Sequence, residues 1–110
     1  MRAIALRMRS SLHEFAHARA GDKGDTLTLA LFPYRDADYE LLRAQVTAEA
    51  VKRHLAHAVL GEVRRYELPN LPALQFVCER ALDTGVTTSL AIDPHGKTMS
   101  YALLELAIET

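Results

Sequence analysis

Between Ala18 and Thr26 the chain carries Arg19, Ala20, Gly21, Asp22, Lys23, Gly24 and Asp25, two glycines and four charges in seven residues. Glycine permits positive φ and close approach of other backbone. Several N–H groups of such a segment can turn toward one point and form an anion-binding concavity. Arg19 and Lys23 would add positive charge there. Asp22 and Asp25 would orient those cations, hold a metal, or divide acid and base roles between two carboxylates. The plain alternative is a solvated hairpin turn with exposed ion pairs. Arg19, Gly21, Asp22, Lys23, Gly24 and Asp25 form the candidate ligand-binding set, and no catalytic candidate beyond Asp22 and Asp25 stands out.

Other residue types with chemical potential read more plainly. His13 and His17 are four apart on an expected strand, so they share a side about 13 Å apart, too far for one metal ion. His54 and His57 are three apart on an expected helix and can meet. No HExxH and no cysteine pair supplies a further ligand, so no metal site is expected. Ser89 has no nucleophile elbow around it. Gly21 and Gly24 match neither a Walker A loop nor a GxGxxG fingerprint, and no cofactor is expected. Glu67 and Asn70 flank a strand end, where Asn70 suits a helix N-cap and both are secondary ligand candidates.

The totals bound the rest. At 110 residues the chain is one domain, with ordinary hydrophobic (49%) and charged (25%) fractions. A net charge of −1 gives no electrostatic reason to expect nucleic acid or an anionic membrane as partner. The single cysteine, Cys78, fits a reducing compartment. The apolar part of the N-terminus ends at Arg7, too short for a secretory segment. No apolar run approaches the ~20 residues that span a bilayer, so a cytoplasmic protein is expected.

These residues must be positioned by a small set of elements. Residues 12–18 and 26–32 read as strands, the second with Leu27, Leu29 and Leu31 on one face. A short connection between them implies an antiparallel pair. Asp36 or Asp38 can cap a helix to Gln45, and Thr47 a second helix bearing Val51, Leu55 and Val59, stopped at Gly61. Residues 63–68 read as a strand closed by Pro69. Leu74, Val77, Cys78, Ala81 and Leu82 then follow helical spacing, with Cys78 as a core residue. Residues 86–92 alternate as a further strand, 93–96 have β-turn chemistry, 98–106 read as a helix, and Ile108 suits a terminal strand. Helical crossovers imply a mixed, partly parallel sheet. That order sends 19–25, Gly61-Glu62 and Asp83-Thr84-Gly85 to one end of the sheet. There Thr87 and Thr88 would complete an anion cradle with the 19–25 segment.

Four segments in register carry a resemblance: Arg19 to Asp25, Arg65-Tyr66-Glu67-Leu68-Pro69-Asn70-Leu71, Gly85-Val86-Thr87-Thr88-Ser89-Leu90, and Asp93 with Gly96-Lys97. Over about residues 12–108 the chain resembles the AtuA-like ferredoxin-fold domain, the C-terminal part of acyclic terpene utilisation protein AtuA. Position 88 is Thr where a basic residue is usual, and position 25 is Asp where relatives also carry Asn. The resemblance implies an N-terminal extension over 1–11 and a domain over 12–110. It implies an α+β fold, a ferredoxin-like α/β sandwich with a mixed sheet of four or five strands and helices mainly on one face, and no iron–sulfur cluster. The expected order departs from plain βαββαβ by a hairpin at the front and two consecutive helices.

The resemblance also implies a bacterial protein tied to acyl-CoA and terpenoid breakdown, and a larger partner like the AtuA N-terminal domain. Two functions are compatible with these residues. One is a non-catalytic binding or small-subunit module, expected as a homodimer, whose 19–25 segment organises a CoA-type ligand or a partner protein. The other is a small enzyme acting on an acyl-CoA or carboxylated terpenoid with Asp22 or Asp25 as general base.

Overall fold

The structure is a computed structural model that describes residues 9–68, 70–81 and 97–110. Its strands are β1 (Arg9–Ser11), β2 (Ala16–Lys23), β3 (Thr26–Pro33), β4 (Val63–Leu68), β5 (Ala73–Cys78) and β6 (Ala107–Glu109). Its α-helices are α1 (Tyr39–Gln45), α2 (Ala48–His54) and α3 (Lys97–Leu103), and 3-10 turns cover Leu12–Glu14 and Asp36–Asp38.

Strands β2, β3, β5 and β4 make one sheet in that order, and β1 pairs with β6 in a separate two-stranded ribbon. Alternation in β3 sets the layers. Leu27, Leu29 and Leu31 are fully buried and lie opposite Cys78, Phe76 and Leu74 of β5. Those six side chains meet Leu42, Val46, Val51, Leu55 and Leu103 in one core, so the three helices lie on this inner face. On β2 the inner positions are Ala16, Ala18 and Ala20, opposite Pro33, Leu31 and Leu29. Small side chains there leave room for α3, which packs over β2. Thr47 caps α2 as its spacing predicts, its hydroxyl accepting the Ala50 N–H at 3.0 Å.

This is the expected α+β ferredoxin-like sandwich, including the front hairpin and the consecutive helices α1 and α2. Three elements differ from the sequence reading. The segment read as a helix from Leu74 to Leu82 contains strand β5. Leu74 and Cys78 satisfy both a helical i, i+4 step and two strand steps, and Phe76 between them completes a buried period of two. Without a helical crossover there, every strand pairing among the described residues is antiparallel. Asn70 consequently sits in a strand-to-strand turn rather than capping a helix. The third difference is at the front. Leu12–Glu14 is a 3-10 turn and β2 starts at Ala16. Arg9–Ser11, placed by sequence in the extension, pairs with Ala107–Glu109, the strand expected around Ile108.

Expected strand 86–92, turn 93–96, Asp83-Thr84-Gly85, Thr87 and Thr88 lie outside the described residues. No helix among the described residues is long and apolar enough to cross a membrane.

Candidate functional site

The glycine-bearing segment is mostly strand. β2 runs through Lys23, which pairs with Thr26, so the connection is only Gly24-Asp25. Gly24 has φ +65°, and Asp25 has no positive φ. Positive φ at the first central residue alone is the pattern of a type II′ hairpin turn, which matches the twist of the flanking strands.

This register sorts the charges. Arg19, Gly21 and Lys23 stand opposite Ala30, Thr28 and Thr26, on the face away from the leucines. Asp22 stands opposite Leu27, on the other face. The side chains expected to share one cup are therefore divided: two cations flank a glycine on the outer face, one carboxylate is turned away, and Asp25 is exposed at the tip. A Cβ at Gly21 would lie 3.0 Å from the Thr28 hydroxyl, so the glycine keeps a shallow gap between the two cations. Neither Arg19 nor Lys23 has a hydrogen bond or ion pair among the described residues.

Next to this gap the sheet end is tightly bonded. The Thr26 hydroxyl donates to Glu79 Oε1 at 2.9 Å, and Arg64 Nη2 donates to Glu79 Oε2 at 2.8 Å. Those bonds, from Arg64 first and Thr26 second, hold the Glu79 carboxyl below its ordinary value. Arg64 also reaches Glu62 at 3.2 Å and the Tyr66 hydroxyl at 3.2 Å. The Ala81 N–H donates to the Asp25 carbonyl at 2.9 Å, and the Gly61 N–H to the Glu79 carbonyl at 2.9 Å. A side chain at Gly61 would meet that carbonyl oxygen at 2.6 Å. The expected gathering of the hairpin and Gly61-Glu62 at one sheet end is thus present, and Glu79 and Arg64 join it. Strand alternation could have placed Arg64 on the outer face, but only the register of β5 brings Glu79 to it.

The remaining candidates are elsewhere. Glu67 pairs with Leu74 near the opposite sheet end, bonded to Arg65 at 3.2 Å, and Asn70 is exposed in the next turn. His13 and His17 are on different elements. The His17 ring stacks on Phe32 and Tyr34, with centroids 5.1 and 5.6 Å away. His54 is fixed by a 2.7 Å bond between Nε2 and the Ala102 carbonyl, and His57 is exposed. Cys78 is fully buried, and burial pushes its thiol up to about 11, as a core residue requires.

Comparison with known families decides the affiliation. Residues 10–109 match the AtuA ferredoxin-like domain. The chain belongs to that family. The match takes in Ser10 and Ser11 of β1, strands β2 to β6 and the three helices among the described residues. No curated protein and no solved structure matches the chain.

Proposed function

We propose that this AtuA ferredoxin-like domain is a non-catalytic binding or small-subunit module serving acyl-CoA and terpenoid catabolism, and that the Arg19–Gly21–Lys23 face of β2 takes the phosphates of a CoA-type ligand. The supporting observation is the arrangement of that face: two cations without partners among the described residues, two residues either side of a glycine, with the Thr28 hydroxyl beside the gap. Guanidinium and ammonium groups in this state are available for charge-assisted bonds to phosphate oxygens. Thr87 and Thr88 are proposed to complete the same cradle. The general-base reading needs Asp22 or Asp25 next to the bound anion, and Asp22 lies on the opposite face of the strand.

A second copy of the chain is the proposed protein partner, with a larger AtuA-type subunit as the alternative. β2 is an edge of the sheet among the described residues, and an open edge is a template for symmetric pairing.

Calorimetric titration with coenzyme A tests the binding reading. The unmodified chain should bind saturably, and Arg19→Ala with Lys23→Ala should weaken binding by about tenfold or more. Equal affinity in the double variant would end the assignment of phosphates to β2.

A further inference from the structure

On another part of the molecule, the ends of α1 and α2 and the β1–β6 ribbon border an open groove of about 400 Å³, lined by Arg9, Gln45, Arg53, His54, Leu106 and Ala107 among others. That volume lies within the range of small-molecule sites, about 300–1,000 Å³. We infer that this groove is a second anion site, built to take a phosphate dianion between the guanidinium groups of Arg9 and Arg53. The inference is independent of the β2 reading.

The groove's walls are fixed by polar groups already satisfied by backbone. The Gln45 side chain clamps Glu109, donating from Nε2 to its carbonyl at 2.5 Å and accepting its N–H at 2.8 Å. His54 is held to the Ala102 carbonyl at 2.7 Å. Arg9 and Arg53, in contrast, have no hydrogen bond or ion pair among the described residues.

A basic residue in the last turn of a helix is favoured by the helix dipole, and that is the plain account of Arg53. It does not fit the details. Of the three basic residues ending α2, Lys52 is bonded to the Val59 and Gly61 carbonyls and His54 to the Ala102 carbonyl. Among the described residues, Arg53 alone of the three holds no carbonyl. The dipole also gives no reason for Arg9, which comes from a strand 44 positions earlier and lines the same groove. Two arginines from separate elements line the one groove, and guanidinium N–H forks match phosphate oxygens.

The test is a titration of the full chain with inorganic phosphate, followed through backbone amide resonances, with a chloride arm at matched ionic strength. Phosphate should shift the amides of Arg53, His54, Leu106 and Ala107 saturably, and chloride should not. Arg9→Gln and Arg53→Gln should each weaken the effect by about tenfold, and Arg53→Lys by less, since it keeps charge but loses the fork. Arg19→Ala with Lys23→Ala should leave these shifts intact, which separates this site's failure from that of β2. Phenyl phosphate in a further arm assigns the source: tighter binding than inorganic phosphate means a phosphomonoester, equal binding means the free ion. Identical responses to phosphate and chloride, or unchanged affinity in Arg9→Gln/Arg53→Gln, would overturn the inference. Both side chains are exposed, so the variants should fold, and the unchanged dispersion of their spectra verifies it.

Discussion

The two edge strands of the four-stranded sheet use their cations in opposite ways. On β4, Arg65 donates to the Arg43 carbonyl at 2.7 Å, the Val46 carbonyl at 2.9 Å and Glu67 at 3.2 Å. Its neighbour Arg64 is shared among Glu79, Glu62 and Tyr66. On β2, Arg19 and Lys23 hold nothing among the described residues. The β4 arginines are fastenings: Arg65 ties the sheet to the carbonyls ending α1, and Arg64 ties β4 to β5. Among the described residues the β2 cations have no structural task of that kind. A cation whose donors are spent on its own fold is a poor ligand group, because an incoming anion must displace its bonds. One left unspent on a rigid strand is already oriented. The contrast separates cations bonded within the fold from cations left unbonded among the described residues, and it applies equally to Lys52 and Arg53 on α2.

The largest effect should come from the fastening that reaches furthest. Arg65 is mostly buried along its side chain, at 18% exposure, and satisfies two carbonyls at the end of α1. Arg65→Ala should lower unfolding free energy by about 2 kcal/mol, since it removes charge-assisted bonds and leaves carbonyls unpaired. Urea unfolding measures this as a lower midpoint at unchanged slope. A change below about 0.5 kcal/mol would place Arg65 with ordinary surface residues and weaken the contrast between edges.

A smaller effect belongs to Glu79, and it depends on pH. Its folded carboxyl titrates below the ordinary 4.5 because Arg64 and Thr26 bond the charged form. A group whose folded pKa is depressed contributes stability above its unfolded value and loses it as pH falls through the folded one. The unmodified chain should therefore lose stability on acidification from about pH 4.5 downward more steeply than Glu79→Gln does. Parallel acid limbs in thermal melts of the two proteins would mean that the Arg64–Glu79 bond does not persist in solution.

Much of the fold was legible because local patterns coincide with tertiary ones. Leu27, Leu29 and Leu31 alternate and are all buried, and Thr47 caps the helix its position announces. The segment around Cys78 was misread because Leu74 and Cys78 fit both periods. Phe76, fully buried between them, was the residue that should have favoured a strand. Of the charged site, the types were legible but not the faces. Reading 19–25 as a loop put Asp22 beside Lys23, whereas extending β2 by five residues sends them to opposite sides of the sheet. The fastenings were invisible for a different reason. Arg65 meets carbonyls 22 and 19 positions away, and Glu79 meets Thr26 across 53 positions. No periodicity encodes such distances. Arg9 and Arg53 are joined in one groove in the same long-range way.

The smallest expected effect on stability is the most discriminating. Arg19→Ala with Lys23→Ala should change the unfolding midpoint by no more than about 0.5 kcal/mol, the range of surface positions that fasten nothing. If the pair were instead part of an unrecognised fastening, its loss would approach that of Arg65→Ala, and the two edges would no longer differ. The same variant separates stability from binding. If coenzyme A occupies the β2 face of the folded chain, it should raise the melting temperature of the unmodified chain by mass action. In the double variant that rise should shrink while the unliganded melting temperature stays put. A cation pair that matters only when ligand is present is what an unspent charge on a rigid edge should be, whereas a fastening would lower both curves together.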